Sequence, residues 1–436
     1  MSAFRDDFAI LSDREYIYFD NAATSQRPRQ VMDAIRHFYE KENANPLRGL
    51  YEWSIAATEA YEEAREKTAS FIGADRASEI IFTRNSTESL NLIAYSWGRE
   101  NIKEGDEIVI AISEHHSNIL PWQMLAKEKG ARLVWLECDE DGSYPDEELR
   151  SKIGDKTRVV AIAQVSNVLG YPKQIRRISD LAHEKGAVTV VDGAQSVPHI
   201  PVDVRDMDAD FFVFSGHKML GPMGIGVLYG KYDILNHMQP FLRGGEMIEY
   251  VSLDDATFAE PPHRFEAGTV NAAGAVGLSA AIDYIRDVGF DFIMERENML
   301  TRALLDGMKG IAHLSCYGSK DPGDHCGIVT FDLDGCHPHD VASILDADHI
   351  CIRAGHHCAQ PLMRYMGVNA TCRASVYFYN TEEEVHRFIK ALSKVRVVDL
   401  RALAREYNGE FGIAGREIRN ANKKVLIEEF SKLFSK

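Results

Sequence analysis

Lys218 is the residue of this chain best set for covalent chemistry. It closes the run Ser215-Gly216-His217-Lys218, which follows an apolar strand pattern at 211–214 and leads into small and apolar residues. A lysine amine desolvated between apolar runs loses part of its affinity for a proton, and the neutral amine can attack a carbonyl to form a Schiff base. The plainer alternative is a lysine whose stem lies along apolar surface with its head in water. Three other segments bear on the choice, because a ring-bearing carbonyl cofactor also needs an acid for its ring nitrogen, an anion site and a flat surface under the ring. The β-branched run Val188-Thr189-Val190-Val191 ends in Asp192-Gly193-Ala194-Gln195, placing a carboxylate at the carboxyl end of a buried parallel strand, where α/β sheets hold ligands; the plainer alternative is a cap on the next helix. The strand pattern Glu79-Ile80-Ile81-Phe82 precedes Thr83-Arg84-Asn85-Ser86-Thr87-Glu88 and a helical apolar pattern through Leu90, Leu92, Ile93 and Trp97. That helix start suits a phosphate, or is a capping box alone. Ser113-Glu114-His115-His116-Ser117-Asn118 follows another strand pattern and offers His115 as a stacking or proton-trading imidazole.

Six more ordered segments accompany these: Tyr18-Phe19-Asp20-Asn21-Ala22-Ala23, residues 43–49, Val165-Ser166-Asn167-Val168-Leu169-Gly170, Arg264-Phe265-Glu266-Ala267-Gly268-Thr269, Arg353-Ala354-Gly355-His356-His357-Cys358 and Cys372-Arg373-Ala374-Ser375. Together they resemble the class V fold-type I pyridoxal-phosphate enzymes, and within them the group II, SUF-type cysteine desulfurases, over about residues 18–395. The resemblance implies pyridoxal 5'-phosphate as cofactor, with Lys218 as its Schiff-base lysine and Asp192 as partner of its ring nitrogen. It implies Gln195 facing the phenolic oxygen, His115 stacked on the ring, and Thr87, Ser215 and His217 on the phosphate. Thr269 would reach that phosphate from the other subunit of a homodimer. Asn167 would sit beside the substrate, Arg373 would pair with its carboxylate, and Arg353 would line the same pocket. The implied reaction turns L-cysteine into L-alanine, with Lys218 as general base and the sulfur left as a persulfide on Cys358. An acceptor protein of the SUF system would then carry the sulfur to iron–sulfur clusters or another sink. His339 matches a position that some members offer to a zinc-containing, scaffold-like acceptor. One departure is Leu47-Arg48-Gly49, where many relatives carry His before the Arg-Gly.

Cys358 alone of seven cysteines follows Arg-Ala-Gly-His-His and precedes a helix start at Pro361; convergence of Arg353, His356 and His357 would favour its thiolate. Selenocysteine lyase or cysteine-sulfinate desulfinase activity is the alternative on the same fold. A thiol hydrolase using Cys358 with His356 or His357, or a non-catalytic docking scaffold, are alternatives of other classes.

Composition sets limits. With 436 residues, 45% of them hydrophobic, the chain can bury one large core and a smaller one. A formal charge of −17 disfavours nucleic acid and anionic membrane as partners. Irregularly spaced cysteines without CxxC pairs, and an N-terminus acidic at Asp6, Asp7 and Asp13, point to reduced thiols in the cytoplasm. No apolar stretch approaches bilayer-spanning length.

Strand and helix patterns alternate from 79 to 230, predicting an α/β fold with a mostly parallel, doubly wound sheet. Residues 1–15 read as an arm, 16–291 as the large cofactor-holding unit and 292–397 as a smaller α/β unit carrying the Cys358 loop. In the small unit strands are expected at 327–333 and 350–353, with helices following Pro338 and Thr381. A helix at 28–39 is expected to pack with that small unit. The mildly basic extension at 398–436 reads as two helices, the second striped by Leu426, Ile427, Phe430, Leu433 and Phe434.

Overall fold

Runs of Val, Ile, Ala and Phe that are apolar at every position bury well only where both faces of a sheet are covered. In the computed structural model, which describes residues 4–13 and 15–395, such runs form a seven-stranded sheet. Its order is Ile80–Thr83, Gly226–Gly230, Phe211–Ser215, Val188–Asp192, Thr157–Ala163, Glu107–Ala111, Arg132–Leu136. Gly226–Gly230 runs antiparallel to both its neighbours and the other six strands share one direction. Side chains alternate between two cores: Val109 and Ala111 enter one, Ile108 and Ile110 the other. Helices Ile175–Glu184 and Ala272–Val288 cover the first core, and Ser86–Ile93 and Leu120–Lys129 the second. The sheet is therefore doubly wound and mostly parallel, as the sequence pattern predicts.

A second, antiparallel sheet has the order Leu314–Tyr317, Ile328–Leu333, Thr371–Ser375, Arg353–Gly355. Val329, Phe331, Leu300, Leu304, Val341 and Phe388 share its core. Helix Glu382–Leu392 starts where Thr381 predicts it: the Thr381 hydroxyl accepts from Glu384 N at 3.2 Å, and the Glu384 carboxylate accepts from Thr381 N at 2.9 Å. Such a capping box is worth about 1 kcal/mol. Helix Phe290–Lys309 serves both units, sending Ile293 into the first core and Leu300, Leu304 and Met308 into that of the second sheet.

Two expectations are corrected. The helix at 28–39 forms at Arg29–His37 but packs on the large unit: Val31 joins the first core, and Ile35 sits where a Cβ on Gly277 would come within 2.8 Å of it. Small residues make that face of Ala272–Val288 shallow, and a helix's own sequence does not show which groove it fills. The strand expected at 350–353 divides. Ile350–Cys351 pairs parallel with Ile17–Tyr18, while Arg353–Gly355 pairs antiparallel with Thr371–Ser375. The N-terminal arm is docked, with Phe8 buried against Tyr379 at 4.5 Å between ring centroids. The two helices expected at 398–436 lie outside the described residues.

Candidate active site

The carboxyl ends of the parallel strands open on a cavity of about 230 Å³, where the chain's direction leaves short turns free to present polar groups. Lys218, Asp192, Gln195, His115, Thr87, Ser215, His217, Asn167, Arg353, Arg373 and Cys358 all line it. Thus of thirteen residues singled out in the sequence, only Thr269 and His339 lie elsewhere.

Lys218 ends the tight turn that follows Phe211–Ser215, a strand buried at every position. Burial lowers its pKa to about 8, against the opposing pull of Asp192. At pH 7 that raises the neutral fraction from about 1 in 3,000 to about 1 in 10, so a nucleophilic amine is present. Asp192 ends the neighbouring strand, is buried, and accepts from Ala194 N at 3.0 Å. It therefore has a local capping bond and also faces the cavity. Burial holds its pKa above the usual value, while Lys218 acts in the opposite sense. A cationic group facing Asp192 would keep it ionised.

Beyond the edge strand Ile80–Thr83, Asn85 caps helix Ser86–Ile93 by accepting from Glu88 N at 3.0 Å. Ser86 N donates to the Ser215 hydroxyl at 2.9 Å, and the Thr87 and Ser117 hydroxyls lie 2.7 Å apart. N–H and hydroxyl groups gathered at a helix start form an anion site. His115 Nδ1 accepts from Ser117 N at 3.1 Å. Burial, then Lys218, lower the His115 pKa to about 3, so its ring is neutral and suited to stacking. Burial likewise lowers that of His217 to about 4, and His217 Nδ1 lies 3.2 Å from the Thr24 hydroxyl. Gln195 Nε2 donates to Ala22 O at 2.8 Å, whereas Gln195 Oε1 is buried without a partner.

The opposite wall comes from the second sheet. Arg353 and Arg373 are cross-strand partners, a like-charge pairing that is unfavourable unless an anion sits between. Asp20 supplies one: its carboxylate accepts from Arg373 Nη2 at 3.3 Å and pairs with Arg353 Nη1 at 3.6 Å. Arg373 Nη1 also donates to Asn167 O at 2.7 Å, and Asn167 Nδ2 donates to His357 O at 2.8 Å. Arg373 Nε is buried with no partner, leaving donor capacity for an acid.

Cys358 lies beyond Arg353–Gly355, and both His357 (φ 49°) and Cys358 (φ 55°) are in the left-handed region, at about 1–2 kcal/mol each. The expected convergence of Arg353, His356 and His357 on the sulfur is corrected. His357 is buried with Nε2 2.9 Å from the Thr371 hydroxyl, His356 Nδ1 accepts from Cys358 N at 3.1 Å, and Arg353 is turned to Asp20. Lys218 and Arg373, from other elements, line the same cavity as Cys358. Burial raises the other six thiols, Cys316 to about 11.

Thr269 is exposed and lines a separate cavity of about 530 Å³ with Arg84 and Asn271. Beside it, Glu266 is buried and accepts from Arg65 Nη1 at 2.7 Å and from Phe82 N at 2.7 Å, which fixes the loop to strand Ile80–Thr83. His339 is exposed near the start of helix Pro338–Asp346, its Nε2 against Gly355 at the base of the Cys358 loop. Leu47 adopts φ 79° and Arg48 pairs with Glu246 at 2.6 Å; neither lines the site cavity. Sequence reasoning missed the role of Asp20. It stands within a quoted motif, and an Asp in a segment that must meet two arginines was the available signal.

These residues fit pyridoxal phosphate. A buried carboxylate, a partly neutral amine, a helix-start anion site, a neutral imidazole and an unpartnered Gln195 oxygen surround one cavity. Residues 17–388 match the family described as aminotransferase class-V. The chain is 50% identical over 380 residues to a probable cysteine desulfurase of Halalkalibacterium halodurans, covering 87% of this chain and 93% of that protein. Among solved structures it resembles the apo cysteine desulfurase of Thermococcus onnurineus, with a TM-score of 0.86, 44% identity, and 90% and 96% of the two chains covered. It also resembles the Escherichia coli cysteine desulfurase CsdA in its S-sulfonic acid form, with a TM-score of 0.83, 37% identity, and 90% and 97% covered.

Proposed function

Because the chain belongs to the aminotransferase class-V family, we propose that it is a pyridoxal-phosphate-dependent cysteine desulfurase. The observation that carries this reading is one cavity walled by Lys218 and Asp192 on one side and by Cys358 and Arg373 on the other. Similarity to proteins named cysteine desulfurase supports it.

Bound pyridoxal phosphate supplies an electron sink that weakens bonds at the substrate's α-carbon and labilises its carbon–sulfur bond. Lys218 would anchor it, Asp192 hold its ring nitrogen charged, and His115 cover its ring. Gln195 would face its phenolic oxygen, and Thr87, Ser215 and His217 its phosphate. The substrate carboxylate pairs with Arg373, whose planar fork matches an acid, while Asn167 flanks it and Asp20 fixes both arginines. Lys218 Nζ takes and returns the substrate proton. Cys358 Sγ, as thiolate, forms a sulfur–sulfur bond to the substrate sulfur; the electron pair of the broken carbon–sulfur bond stays with carbon, which a proton then caps. The balance is cysteine plus thiol to alanine plus persulfide, with no outside oxidant.

The two sheets support reading 16–291 as the cofactor-holding unit and 292–397 as the unit that carries the Cys358 loop. Exposed Leu50, Trp53, Tyr250 and Leu253 support a homodimer, in which Thr269 would meet the other subunit's site. Exposed His339 beside Gly355 supports an acceptor of the SUF type docking near the sulfur. Among the described residues no helix is long and apolar enough to cross a membrane, and we read the enzyme as cytoplasmic.

The test is the purified protein's visible absorbance, borohydride labelling, and alanine release from L-cysteine, selenocysteine and cysteine sulfinate. A yellow protein labelled on Lys218 that turns over L-cysteine with extra sulfur on Cys358 is expected. A protein that binds no pyridoxal phosphate, or one that uses only the other two substrates, overturns the proposal.

A further inference from the structure

Two imidazoles hold the backbone around Cys358, and neither has a part in the chemistry described above. His116 N donates to Cys358 O at 2.7 Å, and His116 Nε2 accepts from Gln360 N at 3.2 Å, across 244 residues of sequence. From the other side His356 Nδ1 accepts from Cys358 N at 3.1 Å. The two rings face each other with centroids 5.5 Å apart, tilted by 35°. Between these bonds sit two consecutive non-glycine residues at positive φ, a conformation that persists only where its surroundings impose it. Both rings act as acceptors, so both must be neutral at those nitrogens. Burial and the neighbouring His356 hold the His116 pKa below its ordinary value, in keeping with that demand.

We propose that His116 is a positioning residue that, with His356, clamps the Cys358 turn so that the sulfur faces the cavity. The inference rests on Cys358 being the sulfur acceptor. The clamp joins the large sheet to the small one at the reacting thiol. His116 follows the strand-end segment that carries the stacking His115, so its bonds set the turn's position relative to the ring site. Sulfur delivery to an outside acceptor requires the turn to open, and one backbone hydrogen bond with two accepted by imidazoles is a hold weak enough to release.

The experiment uses cofactor-loaded enzyme with His116→Phe, which keeps a ring without the acceptor, and His116→Gln, which returns an acceptor oxygen at similar reach. Amide hydrogen exchange at Gln360 reads the clamp directly. Single-turnover persulfide yield on Cys358 reads its consequence, and cofactor absorbance reads the ring site. His116→Phe should speed Gln360 exchange and slow persulfide formation by roughly 5-fold or more, the effect of one lost hydrogen bond, with absorbance unchanged. His116→Gln should restore both. Wild-type exchange and persulfide rates in His116→Phe, or a His116→Gln enzyme as impaired as His116→Phe, overturn the proposal. An unprotected Gln360 amide in the wild-type enzyme overturns it without any variant. Sulfur found on a peptide other than that of Cys358 would count against the desulfurase reading, whereas the exchange result judges the clamp by itself.

Discussion

Lys218 and Cys358 face one cavity from walls built in opposite ways. Lys218 follows a strand buried at every position and flanked on both sides by other strands of the large sheet. Cys358 sits between a three-residue strand and the six-residue helix Gln360–Tyr365, in a left-handed turn held by side chains from elsewhere. A group that must keep its geometry through a reaction belongs on a rigid element. A group that must hand sulfur to an outside acceptor belongs on a loop that can open at small cost.

The largest effect expected is on the rigid wall. Lys218→Ala should give a folded protein whose turnover of L-cysteine falls by on the order of 10³-fold or more, since anchor and base are lost together; comparable steady-state rates would break the assignment. The wild-type amine also predicts a pH profile. Cofactor uptake by apo-protein needs the neutral amine, so its rate should rise with pH and level off above about 8, as stopped-flow absorbance can follow.

On the wall that carries Cys358, Cys358→Ser should keep cofactor absorbance and substrate binding but form no persulfide, while Ser or Ala at the other six cysteines leaves transfer largely unchanged. Mass spectrometry of the reacted protein checks this, and extra sulfur on another peptide would end the distinction between the walls. Asp192→Asn should retain cofactor and lose activity by about 10²-fold, because the electron sink depends on a charged ring nitrogen. The smallest effect concerns the junction. Asp20→Asn removes the anion between Arg353 and Arg373, and should raise KM for cysteine by roughly 10-fold with a lesser change in kcat; an unchanged KM would mean the arginines hold position without it.

The cofactor side was the more legible in sequence because its residues are local. Asp192 and Lys218 each end an apolar run, and strand direction alone puts both at the same edge of the sheet. The Cys358 side was legible as a motif but not as a geometry. Adjacent His356 and His357 suggested two imidazoles at the sulfur, yet the left-handed turn sends one ring into the core toward Thr371 and ties the other to the backbone. Lys218 and Arg373, which share the cavity with the thiol, lie 140 and 15 positions away, which neighbourhood in sequence does not rank. Asp20 lies more than 330 residues before the arginines it holds, and its use follows from a parallel pairing of Ile17–Tyr18 with Ile350–Cys351. The helix at Arg29–His37 went to the large unit for the same kind of reason, a shallow face on a helix some 240 residues later.

By itself, then, the chain's apolar periodicity determined the doubly wound sheet, because strands buried on both faces leave few other solutions. Its strand-end lysine and aspartate determined which edge could carry chemistry. Tertiary structure alone decided that the candidate cations beside Cys358 in sequence turn elsewhere, which anion keeps two facing arginines together, and which imidazoles hold the sulfur-bearing turn. Those outcomes depend on the register and docking of one sheet against another, and register is a property of pairs of segments that neither segment encodes alone.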